Sequence, residues 1–107
     1  MAVARVAFWM FKPGQRERRK ELRDRMGDVM AYPGVLGAIW LDSRNDPDAS
    51  LSFVIFESVG AMEANSKDPR FREALAPLAE VVERLPPEIQ PHDVDFVRLR
   101  AGFGQRA

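Results

Sequence analysis

The sequence predicts an α+β domain built in the order β-α-β-β-α-β, with a four-stranded antiparallel sheet and both helices on one face of it. Three observations lead there. Four short runs rich in β-branched and aromatic residues are separated by two stretches whose apolar residues recur at helical spacing. The second and third runs are joined by a loop rich in Asn, Asp and Pro, which fits a hairpin. Right-handed crossovers between the remaining strands then put both helices on the same side. At 107 residues the chain reads as a single domain over 1–107, with its core between 3 and 100.

Val3 to Phe11 is apolar on both faces apart from Arg5, so it reads as a buried strand. Arg5, Ala7, Trp9 and Phe11 share one face, and Ala4, Val6, Phe8 and Met10 the other. Lys12, Pro13 and Gly14 stop it. Gln15 to Met30 places Leu22, Met26, Val29 and Met30 on one helical stripe, which Tyr32-Pro33-Gly34 ends because the residue before proline is pushed out of the α region. Val35 to Leu41 is the second strand, Ser43 to Ser50 the hairpin loop, and Leu51 to Glu57 the returning third strand. Ser58 caps a short helix through Asn65, and Asp68-Pro69 starts the next, a capping side chain followed by proline at the first helical position. Phe71, Leu75, Leu78, Val82 and Leu85 form its buried stripe, with a kink or restart expected at Ala76 because Pro77 interrupts it. Pro86 to Pro91 reads as an extended connector and Asp93 to Arg100 as the last strand, with a fraying tail from Ala101.

Charge and composition remove several function classes. Sixteen basic and sixteen acidic side chains cancel, so no global field attracts nucleic acid or an anionic membrane. The basic run Arg16, Arg18, Arg19, Lys20, Arg23 and Arg25 is interleaved with Glu17, Glu21 and Asp24 and reads as a solvated helix face. With no cysteine there is no disulfide, zinc-thiolate site or thiol nucleophile, and no metal or other cofactor is expected. No apolar run approaches the roughly 18 residues of a membrane span, and the chain reads as cytoplasmic. An RNA-recognition fold shares the element order and would match Phe53-Val54-x-Phe56, but Ala49 and Leu51 stand where a basic and a stacking residue are needed.

The β-α-β-β-α-β order is the ferredoxin-like arrangement, and it leaves one sheet face bare although the strands are apolar on both sides. If about 1,000 Å² lies there, its burial is worth on the order of 25 kcal/mol, above the roughly 4–15 kcal/mol cost of association. A homodimer with sheets packed face to face is therefore expected. The chain resembles the antibiotic biosynthesis monooxygenase-like domains, a group of dimeric α+β barrels. Lys12-Pro13-Gly14, Tyr32-Pro33-Gly34-Val35-Leu36-Gly37, Phe56-Glu57-Ser58 and Asp68-Pro69-Arg70-Phe71 carry the resemblance, which spans Val3 to Leu99. It implies a homodimer with a pocket between helices and sheet in each subunit. Some members oxidise aromatic polyketides without metal or flavin, and some degrade haem. The positions at which haem-degrading relatives keep an asparagine, a tryptophan and a histidine are Ala7, Phe56 and Leu75 here, so the haem ligand is missing.

A cofactor-independent monooxygenase acting on an aromatic or quinone-like molecule needs an apolar pocket, a base, and donors for the negative charge that forms. Trp9, Trp40 and Phe56 are the candidates for the pocket, with Asn65 at its mouth; His92 is the candidate base, and Arg5 and Arg98 the donors. Each has a plainer reading: core packing for the aromatics, a solvated loop for His92, a helix end for Asn65, and pairing with Glu57 or Asp95 for the arginines. The alternative function is a non-catalytic member of the fold that binds a small ligand or only dimerises.

Overall fold

The computed structural model describes residues 1–103. Four antiparallel strands, β1 (Val3–Met10), β2 (Val35–Asp42), β3 (Ala49–Phe56) and β4 (Glu88–Asp93), lie in the order β2-β3-β1-β4, with the helices on one face. β1 is central: Ala7 sits opposite Ser52 of β3 on one side and Ile89 of β4 on the other. Partners across an antiparallel ladder point to the same face. The helix-covered face therefore carries Arg5, Ala7 and Trp9 of β1, Val54, Ser52 and Ser50 of β3, and Ala38, Trp40 and Asp42 of β2. The opposite face carries Ala4, Val6, Phe8 and Met10, beside Ile55, Phe53 and Leu51 and then Ile39 and Leu41.

The helical layer is more broken than the apolar spacing suggests. α1 runs over Arg18–Met26, not to Met30, because Gly27 takes a positive φ of 77° and the chain re-forms only as a 3-10 turn at Val29–Ala31. α2 (Val59–Lys67) is capped by Ser58, whose Oγ accepts from the Ala61 N–H at 3.1 Å. α3 (Pro69–Leu75) starts on Asp68, which accepts from the Arg70 N–H at 2.9 Å. The break expected at Ala76 is present as a 3-10 turn over Ala76–Glu80. Helical structure then stops, five residues before Leu85. Val81 and Glu83 bond instead to the end of β1, accepting from the Lys12 N–H at 2.8 Å and donating to the Met10 carbonyl at 2.9 Å. One glycine is required by contact as well as by φ: a Cβ on Gly34, at φ 80°, would lie 2.5 Å from the Ala61 Cβ, so the Tyr32-Pro33-Gly34 turn seats directly on α2.

The last strand is displaced from where the sequence places it. β4 occupies Glu88–Asp93, and the segment expected to form it, Asp93 to Arg100, continues past the sheet. β1 dictates this. Val3 pairs with Asp93, and the Val94 N–H reaches the Ala2 carbonyl at 3.0 Å, so no partner strand remains for Asp95 onward. Pro91 is tolerated because β4 is an edge strand, where a missing N–H breaks no interior ladder. β4 is exposed along its whole length and carries Glu88, Gln90, His92 and Asp93, so it is not the strand apolar on both faces that the sequence predicts. Of the tail expected to fray from Ala101, residues 104–107 lie outside the described residues.

Two buried clusters result. Trp9, Phe11, Leu22, Leu78 and Val82 form one; Val3, Val35 and Phe56, packed by Tyr32 and Met62, form the other. The surface between them is where a cavity opens.

Candidate functional site

The cavity measures about 760 Å³, within the range of sites for small organic ligands. Its floor is the sheet, through Ala7, Trp9, Trp40 and Val54; Phe71 and Leu75 of α3 close it from above, and Leu85 to Pro87 border it. Trp9 and Trp40 stack with centroids 5.3 Å apart at 30°. Their indole N–H groups are already committed, Trp9 Nε1 donating to Ser52 Oγ at 2.9 Å and Trp40 Nε1 to Asp42 Oδ1 at 3.1 Å. Such partners hold both rings in place and leave apolar surface toward the cavity.

Arg5 is the buried charge at the cavity. It is 6% exposed, on the central strand, with its guanidinium carbon 4.4 Å from the Phe71 ring centroid and 5.1 Å from that of Phe56. Nη1 donates to Ser66 Oγ at 3.2 Å; Nη2 is buried without a hydrogen-bond partner. No carboxylate pairs with it among the described residues, so neither Glu57 nor Asp95 takes the role the sequence offered them. Burial alone lowers its pKa to about 10, still cationic at neutral pH. Around the cavity the described side chains include Arg5 and Arg72 but no aspartate, glutamate or histidine. No group of acidic or histidine side chains suited to a metal ion occurs among the described residues.

The residues singled out from sequence separate into three groups. Arg5, Trp9 and Trp40 meet at the cavity. Phe56 and Asn65 are buried beside it, not in its lining: Phe56 is fully enclosed beneath Arg5, and Asn65, in α2, is 4% exposed with both amide atoms unpartnered. His92 and Arg98 lie elsewhere. His92 pairs with Ala4, which puts it on the sheet face opposite the cavity, exposed, with Nδ1 3.1 Å from the Gln90 carbonyl. Arg98 is exposed in the segment beyond β4. Within one subunit neither lines the cavity, the last strand lying five residues earlier than the sequence places it. The basic run is also corrected. Arg16, in the turn before α1, donates to the carbonyls of Ser43, Asp46 and Ala49 at 2.8, 2.9 and 3.1 Å, and Arg19 is buried against Trp40, so these two arginines anchor the hairpin.

Sequence reasoning missed Phe71, Ser66 and Tyr32 as neighbours of the site. By its spacing Phe71 reads only as core. Its place at the first turn of α3, directly after the Asp68-Pro69 start, is the signal that could have found it, since that break aims the helix start over the sheet.

The description antibiotic biosynthesis monooxygenase belongs to the family model that matches residues 2–77, from β1 through α3. No curated protein matches the chain. Among solved structures, a protein of unknown function from Nitrosomonas europaea is 20% identical, with a TM-score of 0.74, over 94% of this chain and 96% of its own. A proposed antibiotic biosynthesis monooxygenase from Bordetella bronchiseptica is 16% identical, with a TM-score of 0.76, over 89% and 98%. SnoaB, a cofactor-independent oxygenase from Streptomyces nogalater, is 12% identical, with a TM-score of 0.72, over 90% and 95%. At such identities the likeness is one of fold.

Proposed function

The chain belongs to the antibiotic biosynthesis monooxygenase family, and from that premise we propose that it is a small dimeric, cofactor-independent monooxygenase acting on an aromatic or quinone-like molecule in the cytoplasm. The observation that carries this is the cavity of about 760 Å³, walled by two fixed indoles and Phe71, with one buried guanidinium at its edge. Arg5, Trp9 and Trp40 bind the substrate in this reading, the rings by stacking and Arg5 by holding negative charge on oxygen. The ferredoxin-like fold shared with SnoaB supports the choice of chemistry. Among the described residues no helix is long and apolar enough to cross a membrane.

The uncovered sheet face supports the dimer. Phe8, Met10, Ile39 and Leu41 each remain more than a third exposed there, a contiguous apolar surface of the kind that a second sheet covers. Light scattering at micromolar concentration should report twice the 12.1 kDa chain mass.

Oxygen uptake decides between reaction and binding. Chelator-dialysed protein, offered hydroxynaphthalenes and hydroxyanthracenes in an oxygen electrode, is expected to consume oxygen above the uncatalysed rate. Binding without uptake would leave a ligand-binding member of the family. Neither, with the dimer intact, would leave a scaffold that only dimerises.

A further inference from the structure

We infer that the ligand of this cavity is an aromatic monoanion, taken up already ionised, whose carboxylate, phenolate or enolate oxygen is held by Arg5 while its rings lie against Trp9, Trp40 and Phe71. This rests on the reading that the cavity is the ligand site, and narrows it from aromatic molecules in general to acidic ones.

Four observations converge. A guanidinium has five N–H donors, and Arg5 spends one on Ser66 while its Nη2 has neither a hydrogen-bond partner nor contact with water. Buried cations are ordinarily paired, and no carboxylate supplies the missing charge among the described residues. The described cavity wall contains two arginines and no acidic side chain, so the local field favours an anion although the chain as a whole is neutral. Finally, neither histidine nor carboxylate lines the cavity, so it offers no imidazole or carboxylate to take a proton from a neutral ligand. The anion must form before or during entry, with water as proton acceptor, and Arg5 selects the charged form. Because Phe71 and Phe56 flank the guanidinium, an oxyanion attached to an apolar ring is a better match than a small hydrated ion.

The test compares 2-hydroxy-1,4-naphthoquinone, an acid ionised at neutral pH, with its 2-methoxy ether, which cannot ionise. Both tryptophans of the chain line the cavity, so quenching of their fluorescence reports occupancy directly. The hydroxy compound is expected to bind about ten- to a hundredfold more tightly than the ether, the range for a charged hydrogen bond out of water. Arg5→Met, its fold verified by circular dichroism, should bring the two compounds level, while Arg5→Lys should restore part of the difference. Inorganic phosphate should not compete. Equal binding of both compounds by the natural protein overturns the proposal and leaves the aromatic cavity standing. Preference retained in Arg5→Met, or competition by phosphate, also overturns it. Quenching by neither compound overturns this proposal together with the cavity reading beneath it.

Discussion

Arg19 and Arg5 are both 6% exposed and both stacked on aromatic rings, yet they meet opposite surroundings. Arg19 lies 4.4 Å over Trp40 and reaches the Asp42 carboxylate at 3.5 Å; the same carboxylate accepts from Ser50 Oγ at 2.7 Å and from Trp40 Nε1 at 3.1 Å. Arg5 has two rings, one serine hydroxyl and no carboxylate. Burial lowers the pKa of each, but only on Arg19 does an acidic partner oppose the shift. A buried cation that has its counter-ion is part of the scaffold: Arg19 pins α1 to the β2–β3 hairpin and holds Trp40 against Trp9. A buried cation without one carries an uncompensated desolvation penalty, which is the usual mark of a site kept ready for something else.

Removing Asp42 should therefore have the largest effect. Asp42→Ala strands Arg19 and unpairs Ser50 and Trp40; with the Asp42 side chain 26% exposed, a loss of about 2–3 kcal/mol in a urea titration is expected. Burial pushes the Asp42 carboxyl up, but the Ser50 hydrogen bond, Arg19, Trp40 and Arg16 outweigh it and hold the pKa below the ordinary value. A lowered acid pKa stabilises the fold above the ordinary carboxylate value and ceases to as pH falls through the folded one. The gap between the natural protein and Asp42→Ala should thus narrow below about pH 4. A gap that widened in acid would mean the carboxylate is not the counter-ion.

Arg5→Met should act in the opposite direction and less strongly. A side chain of similar volume without the charge removes the desolvation penalty, so a gain of about 1 kcal/mol is expected, or a rise of about 4–8 °C in Tm. For a base lowered to about 10, the penalty is complete below that pH and is relieved as pH rises toward the ordinary arginine value. The gain should therefore be flat through neutrality and shrink in alkali. A loss of stability instead would make Arg5 a structural partner of Phe56 and Phe71, and the contrast with Arg19 would disappear.

Much of this frame was legible from residue types. Val3 to Met10 announced itself by being apolar on two faces, the hairpin by Asn45 to Asp48, and the α3 start by Asp68-Pro69. Strand alternation alone placed Arg5 with Ala7 and Trp9, three of the cavity's walls. The errors share a cause, which is that local pattern does not carry register. Val94 to Leu99 alternates well enough for a strand, but whether it pairs depends on where β1 begins. Phe56 belonged to the cavity's face, yet its position at the end of β3, under α2 and Arg5, buries it completely. From sequence Asn65 reads as a helix end at a pocket mouth; it lies inside α2, two residues before the helix closes at Lys67.

The smallest effect is expected at His92, and it bears directly on which sheet face does the chemistry. His92 pairs with Ala4, on the face away from Arg5, and its exposed ring lies beside the Gln90 carbonyl. It is the only histidine in the chain. If the cavity takes up ligands already ionised, the pH profile of hydroxynaphthoquinone binding should follow the acidity of the compound itself, and His92→Gln should leave both profile and affinity unchanged. A profile that loses a step near neutral pH in His92→Gln would mean that the bare sheet face contributes to the site. Arg5 would then hold an anion whose proton had been taken elsewhere, across the sheet or from a second subunit.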